Sequence, residues 1–179
     1  MRIIGGKHKG RKFAVAPGFR GRPTTDFGKE GLFNMLNHRV FLQGATVLDL
    51  FSGAGGISLE FASRGASYIT SIERGGPGVK TLKSNYEILG YDSFQVIRGD
   101  ALSFIKKAVG SYDVIFADPP YELTEMAKLP SMILGSGLLA EGGLVIVEHG
   151  GDTTFSEEEG FEETRKYGHV NFSFFTLDE

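Results

Sequence analysis

Residues 45–60 read ATVLDLFSGAGGISLE, and this order of side chains commits the chain to an α/β sheet. Residues 45–50 are a short, mostly apolar run of strand length. A glycine-rich turn follows, and residues 57–63 then carry a helical pattern. A strand feeding a helix through such a turn opens a βαβ unit. The alternation continues downstream. Strands are expected at 68–73, 94–97, 112–117 and 144–148, the last after a Gly142-Gly143 turn. Helices are expected at 79–89 (starting after Pro77), 102–109 and 125–133. Short strands separated by helices of about ten residues imply a parallel sheet. The end of the chain differs, because 163–167 and 170–177 flank Gly168-His169 like an antiparallel hairpin.

The front of the chain is of another kind. Residues 1–24 are rich in Gly, Lys and Arg. Ile3, Ile4, Phe13 and Val15 flank the 5–10 stretch and predict a small hairpin. Thr25 or Asp26 can cap a helix running to about Asn37, whose Leu32, Phe33 and Leu36 share one face. Residues 1–40 hold nine Lys or Arg against two acids, whereas 41–179 hold ten against twenty. The formal net charge of −3 averages these two regions. A basic segment on an acidic body points to a polyanionic partner. The chain has 179 residues and no cysteine, which excludes disulfides, thiolate metal sites and cysteine nucleophiles. The four histidines (8, 38, 149, 169) fit no ligand motif, so no metal site is expected. No apolar run reaches membrane-spanning length and the N-terminus has no signal-peptide pattern, so the cytosol is the expected compartment.

Ligands of open parallel sheets bind at the carboxyl ends of the strands. Four consecutive predicted strands end near a carboxylate: Asp49, Glu73, Asp100 and Asp118. The loop after the first, Asp49-Leu50-Phe51-Ser52-Gly53-Ala54-Gly55-Gly56, lets backbone approach a ligand. Counted from Gly53, the sixth position is Ser58, so the dinucleotide fingerprint is imperfect. Asp49 suits an ammonium group better than a pyrophosphate. Glu73 lies twenty residues beyond Gly53 and can accept from ribose hydroxyls. Asp100 can either accept from an adenine amine or cap the helix after it. Ammonium, ribose and adenine together describe S-adenosylmethionine better than a nicotinamide dinucleotide.

Asp118-Pro119-Pro120-Tyr121 follows the fourth of these strands. Two prolines fix the backbone and remove two donors, leaving carbonyls to face a cleft. A carboxylate and a carbonyl can together accept from an exocyclic amine and turn its lone pair out of conjugation. Tyr121 offers a face on which a base can stack.

These motifs resemble those of Rossmann-like class I methyltransferases acting on amino groups. The N-terminal runs MRIIGGKHKGRKF (1–13), RPTTD (22–26) and LFNML (32–36) resemble the bacterial RsmD family of 16S ribosomal RNA guanine-N2 methyltransferases. The likeness spans nearly the whole chain. It implies a mostly parallel Rossmann-like sheet with a C-terminal antiparallel hairpin, formed by residues 25–179, preceded by a basic hairpin or arm at 1–24. It implies S-adenosylmethionine as cofactor, giving S-adenosylhomocysteine, at Asp49, Phe51, Ser52, Gly53, Gly55, Glu73, Arg74, Asp100, Ala101 and Asp118. It implies catalysis by Asp118, Pro119, Pro120 and Tyr121, without a metal. The implied partner is 16S ribosomal RNA or the small-subunit particle, held by Lys7, Lys9, Arg11, Lys12, Arg20 and Arg22, with the enzyme a monomer. RPTTD is expected to fold over the active cleft, which would instead set Arg22 beside it. Two places depart from the family pattern. Phe27-Gly28 stands where a basic residue usually follows RPTTD, and Arg74-Gly75-Gly76-Pro77-Gly78 stands where a helix normally begins. The competing readings are an amino-methyltransferase of DNA adenine or protein glutamine, a nicotinamide oxidoreductase, and a non-catalytic RNA-binding protein of the same fold.

Overall fold

The computed structural model describes residues 1–177. Its centre is one seven-stranded sheet, ordered β3-β2-β1-β4-β5-β7-β6. The strands are β1 (Thr46–Leu50), β2 (Tyr68–Glu73), β3 (Phe94–Arg98), β4 (Tyr112–Ala117), β5 (Leu139–His149), β6 (Phe161–Tyr167) and β7 (Val170–Phe175). The first five are parallel, and β7 and β6 add an antiparallel hairpin at the β5 edge. The chain moves outward from β1 to β3, then returns to place β4 on the other side of β1. That reversal opens a crevice between the carboxyl ends of β1 and β4, where doubly wound sheets bind ligands.

Helices cover both faces. Side chains alternate along each strand, so Val47, Val114, Phe116 and Ile146 face one apolar cluster, whereas Leu48, Ile115, Ala117 and Val147 face the other. The first cluster is filled by α1 (Asp26–Leu36), α2 (Gly56–Ser63) and α3 (Gly76–Leu89), and the second by α4 (Ala101–Lys107) and α5 (Leu129–Leu134). Ile3 and Phe13 of the N-terminal hairpin are buried in the first cluster.

The expected helices and strands form, with informative differences. Thr25 caps α1, its hydroxyl accepting from the Gly28 amide at 3.1 Å. Helix α3 starts at Gly76 rather than after Pro77, because a proline in the first turn loses no helical hydrogen bond. The helix expected at 125–133 is instead a 3₁₀ turn, Met126–Lys128, followed by α5. Pro130 has no amide to carry one continuous helix, and it sits in the first turn of the second piece. Strand β5 begins at Leu139, so Gly142-Gly143 is not a turn before the strand. It forms a bulge inside it, where the register against β4 jumps from Tyr112–Leu139 to Val114–Leu144.

The N-terminal residues form a narrow hairpin, with Arg2 bridged to Lys12 and the Phe13 amide donating to the Met1 carbonyl at 2.8 Å. It lies along α2. The Ile4 amide donates to Glu60, the Lys7 amide to the Ser63 carbonyl, and the Ser63 hydroxyl to the Gly5 carbonyl. Lys29 of α1 is fully buried beneath it and donates to both the Arg2 carbonyl and Glu60. Glu60 also accepts from Arg64 at 2.7 Å, so the buried carboxylate is fully engaged.

Candidate active site

The crevice is built from turns that only certain residues permit. Strand β1 ends in Phe51, which adopts φ +59 although it is not glycine. Such strain persists where the surroundings enforce it. Here the Ser52 amide donates to the Ile72 carbonyl at 2.8 Å and the Ser52 hydroxyl to the Asp49 carbonyl at 2.7 Å. Gly55, at φ +87, opens α2, and a Cβ there would collide with Leu82.

Glu73 ties two loops together. One carboxylate oxygen accepts from the Gly53 amide at 2.8 Å and the other from the Gly75 amide at 2.6 Å. A Cβ at Gly78 would lie 2.9 Å from the Gly53 carbonyl oxygen and 2.8 Å from Glu73 Cγ. The glycine-rich stretch 74–78 thus lets α3 start directly against the loop after β1. Each Glu73 oxygen has two acceptor positions and uses one, which leaves capacity for hydroxyl donors.

Asp49 lies beneath this loop with 1% of its surface exposed. Its carboxylate accepts from the Ser58 hydroxyl, which is 2.9 Å from the Ser71 hydroxyl, itself 3.1 Å from the Tyr86 hydroxyl. Burial is the main cause that pushes the Asp49 pKa up to about 7, with the Asp118 and Glu73 charges adding to it and Ser58 opposing. Asp100 is exposed and caps α4, accepting from the Ser103 amide at 2.8 Å. That bond is the first cause holding its pKa below the usual carboxylate range, and Arg74 contributes. Arg74 is exposed and Ala101 is buried at the start of α4.

Asp118-Pro119-Pro120-Tyr121 leaves β4 on the opposite lip. Burial raises the Asp118 pKa well above the usual carboxylate range. Among the described residues no group donates to the Asp118 carboxylate, yet no fully enclosed side-chain oxygen lacks a partner. Its oxygens are therefore unpartnered within the chain and not completely sealed from solvent. The Pro120 carbonyl is used within the turn, accepting from the Leu123 amide at 3.0 Å. The Tyr121 ring is 82% exposed and stands beside Gly150.

Two residues at this site, Glu148 and Phe19, escaped the sequence reading. Glu148 is 7% exposed, and one of its oxygens accepts from the Thr24 hydroxyl at 3.1 Å. Burial and the neighbouring Asp118 push its pKa upward. The signal was present, because the fifth predicted strand also ended on a carboxylate. Phe19 is the other, while Thr24 lies in RPTTD, the run expected to fold over the cleft. The Ala16 amide donates to Thr81 of α3 at 2.8 Å, and the Phe19 ring lies against Gly53, 3.3 Å from where its Cβ would be. Residues 16–24 thus cross the mouth of the crevice from α3 to Glu148. No periodicity marks such a crossing.

The six basic residues divide by place. Arg20 and Arg22 lie on this crossing segment, between Phe19 and Thr24. Lys7 and Lys9 lie at the other end of α2, about 12 Å away along an eight-residue helix. Arg11 and Lys12 fall between, on the returning strand of the hairpin. All six are exposed, and none forms an ion pair among the described residues. Among those residues no group of three His, Asp or Glu is arranged to hold a metal, and no helix is long and apolar enough to cross a membrane.

Comparison with known proteins agrees with this geometry. The ribosomal RNA small subunit methyltransferase D of Escherichia coli (strain K12) is 35% identical over 150 residues, 83% of this chain and 74% of its own. The solved structure of Escherichia coli yhhF superposes with a TM-score of 0.86 at 30% identity, over 99% of this chain and 98% of that one. A hypothetical protein of Thermus thermophilus gives 0.85 at 29% identity, over 99% of both chains. Matched from residue 1 to residue 176, the chain belongs to the family described as Conserved hypothetical protein 95, the family of the small-subunit ribosomal RNA methyltransferases D.

Proposed function

We propose that this protein transfers a methyl group from S-adenosylmethionine to the exocyclic N2 amine of a guanine in 16S ribosomal RNA, free or within the small-subunit particle, in the bacterial cytoplasm. The observation that carries the proposal is the partly buried Asp118 carboxylate, without a donor among the described residues, at the carboxyl end of β4 near the Glu73-clamped glycine loop. The crevice suits this cofactor. Asp49, Asp118 and Glu148 are acids made unfavourable by burial, so a ligand carrying positive charge relieves them. A pyrophosphate would oppose all three. Glu73 keeps acceptor capacity for ribose hydroxyls, and Asp100, Arg74 and Ala101 stand at the adenine end. When bound, S-adenosylmethionine supplies a methyl group already activated on a sulfonium.

The protein's share is mainly placement, and orientation of this kind removes roughly 7–11 kcal/mol of barrier. Asp118 and the Pro119 carbonyl accept from the two amine hydrogens and aim the nitrogen lone pair along the crevice. Positive charge developing on that nitrogen is offset by the same acceptors. Asp118 can then take the released proton. Pro119 and Pro120 hold the turn, and Tyr121 stacks on the base. A splayed loop guanine reaches such a site at low cost. Lys7, Lys9, Arg11, Lys12, Arg20 and Arg22 meet the phosphates. Every group invoked lies on one chain, so a monomer suffices.

The test is transfer of tritiated methyl to small-subunit RNA, with and without its proteins, beside DNA and a glutamine-bearing release factor, followed by mapping of the modified base. Label on N2 of one guanine is the expected result. Label on DNA or protein alone would replace the substrate, and no label on any would refute the proposal.

A further inference from the structure

The proposed reaction gives Glu148 no contact with the base. It ends the apolar part of β5, next to the catalytic lip. The last register pair between β4 and β5 is Ala117–Val147. One step further sets Asp118 beside Glu148, about 4.8 Å apart across the sheet. Alternation turns both toward the face that also holds Asp49. Thr24 occupies one Glu148 oxygen, and the other has no partner among the described residues. Since no enclosed side-chain oxygen goes unpaired, that second oxygen keeps contact with solvent and is free to accept from a ligand.

We infer that Glu148 is the residue that selects guanine, accepting from the base N1–H while Asp118 holds the adjacent N2 amine. The inference rests on the guanine reading above and supplies what that reading lacks. Asp118 and Pro119 can hold any exocyclic amine, so they cannot distinguish guanine from adenine or cytosine. The ring position next to the amine can. In adenine and cytosine it is an acceptor, and in guanine N1 carries a hydrogen. Two carboxylates side by side match two adjacent donors. The same pair opposes a donor next to an acceptor, because the second carboxylate would face a lone pair. Thr24 orients the Glu148 carboxylate, which ties selection to the segment that crosses the crevice mouth.

The test uses a synthetic RNA fragment spanning the methylated guanine, and the same fragment with 2-aminopurine at that position. 2-Aminopurine keeps the N2 amine and has no hydrogen on N1. The full-length enzyme should prefer guanine in kcat/KM by about tenfold to a hundredfold. In Glu148→Gln the side-chain amide can donate to a bare N1, so the preference should shrink to a few-fold or reverse; any change in S-adenosylmethionine affinity acts on both substrates alike and cancels from that ratio. Glu148→Asp keeps an acceptor and should keep the preference at a lower rate, which covers the case of an unstable Gln variant. An equal loss on both substrates in Glu148→Gln, or an unchanged preference, would overturn the role. Failure of the wild-type enzyme to methylate the guanine fragment would overturn the underlying reading as well.

Discussion

The carboxyl rim of the sheet and the N-terminal hairpin carry opposite charge, and they handle it in opposite ways. At the rim, Asp49, Asp118 and Glu148 are largely withdrawn from water, and their pKa values are pushed upward. On the hairpin and the segment after it, six basic side chains stay in water, while its apolar residues and one buried lysine beneath it do the docking. Buried charge is expensive, so it persists where a ligand or a reaction uses it. Exposed charge costs little and acts at long range, which suits capture of a polyanion. On the proposed function, the rim serves the chemistry and the hairpin the attraction.

The sharpest challenge to that division is Asp118→Ala. Transfer should fall by about a hundredfold to a thousandfold, as when an oriented polar group is lost from an active site. S-Adenosylmethionine affinity, read by calorimetry, should change little. Equal loss of both would make Asp118 a binding residue. Next comes Lys29→Met, which leaves Glu60 buried with only Arg64 and the Ile4 amide as partners. Unfolding in urea should show a loss of about 3 kcal/mol. A much smaller loss would mean that apolar packing alone docks the hairpin.

Asp49→Asn probes the cost of charge at the rim. The Asp49 pKa is raised from 3.8 to about 7 by burial. The neutral acid is therefore favoured in the folded state, and this advantage is lost as pH rises from about 4 through 7. Asparagine does not ionise and can still accept from Ser58. Relative to wild type, the variant should gain about 2–4 kcal/mol of stability between pH 5 and pH 8, read from paired denaturation curves. Parallel pH dependence in the two proteins would show that Asp49 is not the titrating group. Methyl transfer should move the other way and rise with pH through neutrality, because ionised Asp118 is the stronger acceptor for its amine hydrogen and can take the released proton, whereas the neutral acid cannot. The smallest effect belongs to the basic segment. Arg20→Ala with Arg22→Ala should lower the salt slope of RNA binding by about 1–2 and leave cofactor affinity intact. Lys7→Ala with Lys9→Ala should do less to transfer, because those residues lie a helix length from the crevice. An unchanged slope in both variants would deny the segment its phosphate contacts.

The site was legible where chemistry is local in sequence. Strand ends and glycine turns put Asp49, Glu73, Asp100 and Asp118 at one edge, and all four lie at or just beyond strand ends in the structure. Capping by Asp100 was one of two readings, and the Ser103 amide does bond to it. Glu148 was visible as a strand end, yet one more acid after an apolar run looks like any surface glutamate. Phe19 had no signal, because it reaches Gly53 from far along the chain, whereas Thr24 belongs to RPTTD, the run expected to fold over the cleft, and it bonds to Glu148. The 74–78 glycines looked like a departure from the helix start. Their reason is the close approach of Gly78 to Gly53, a contact across two loops.

Local patterning was enough to specify the alternation of strands and helices, the glycine turn after β1, and the charge division between front and body. Each follows from periodicity, backbone freedom or residue count, which are properties of near neighbours along the chain. Packing across the chain settled the rest. It set which acids are buried and therefore shifted, which loops Glu73 clamps, and which segment crosses the crevice. It also placed Asp118 beside Glu148, since burial, register and electrostatic coupling arise between residues that only the folded sheet makes neighbours.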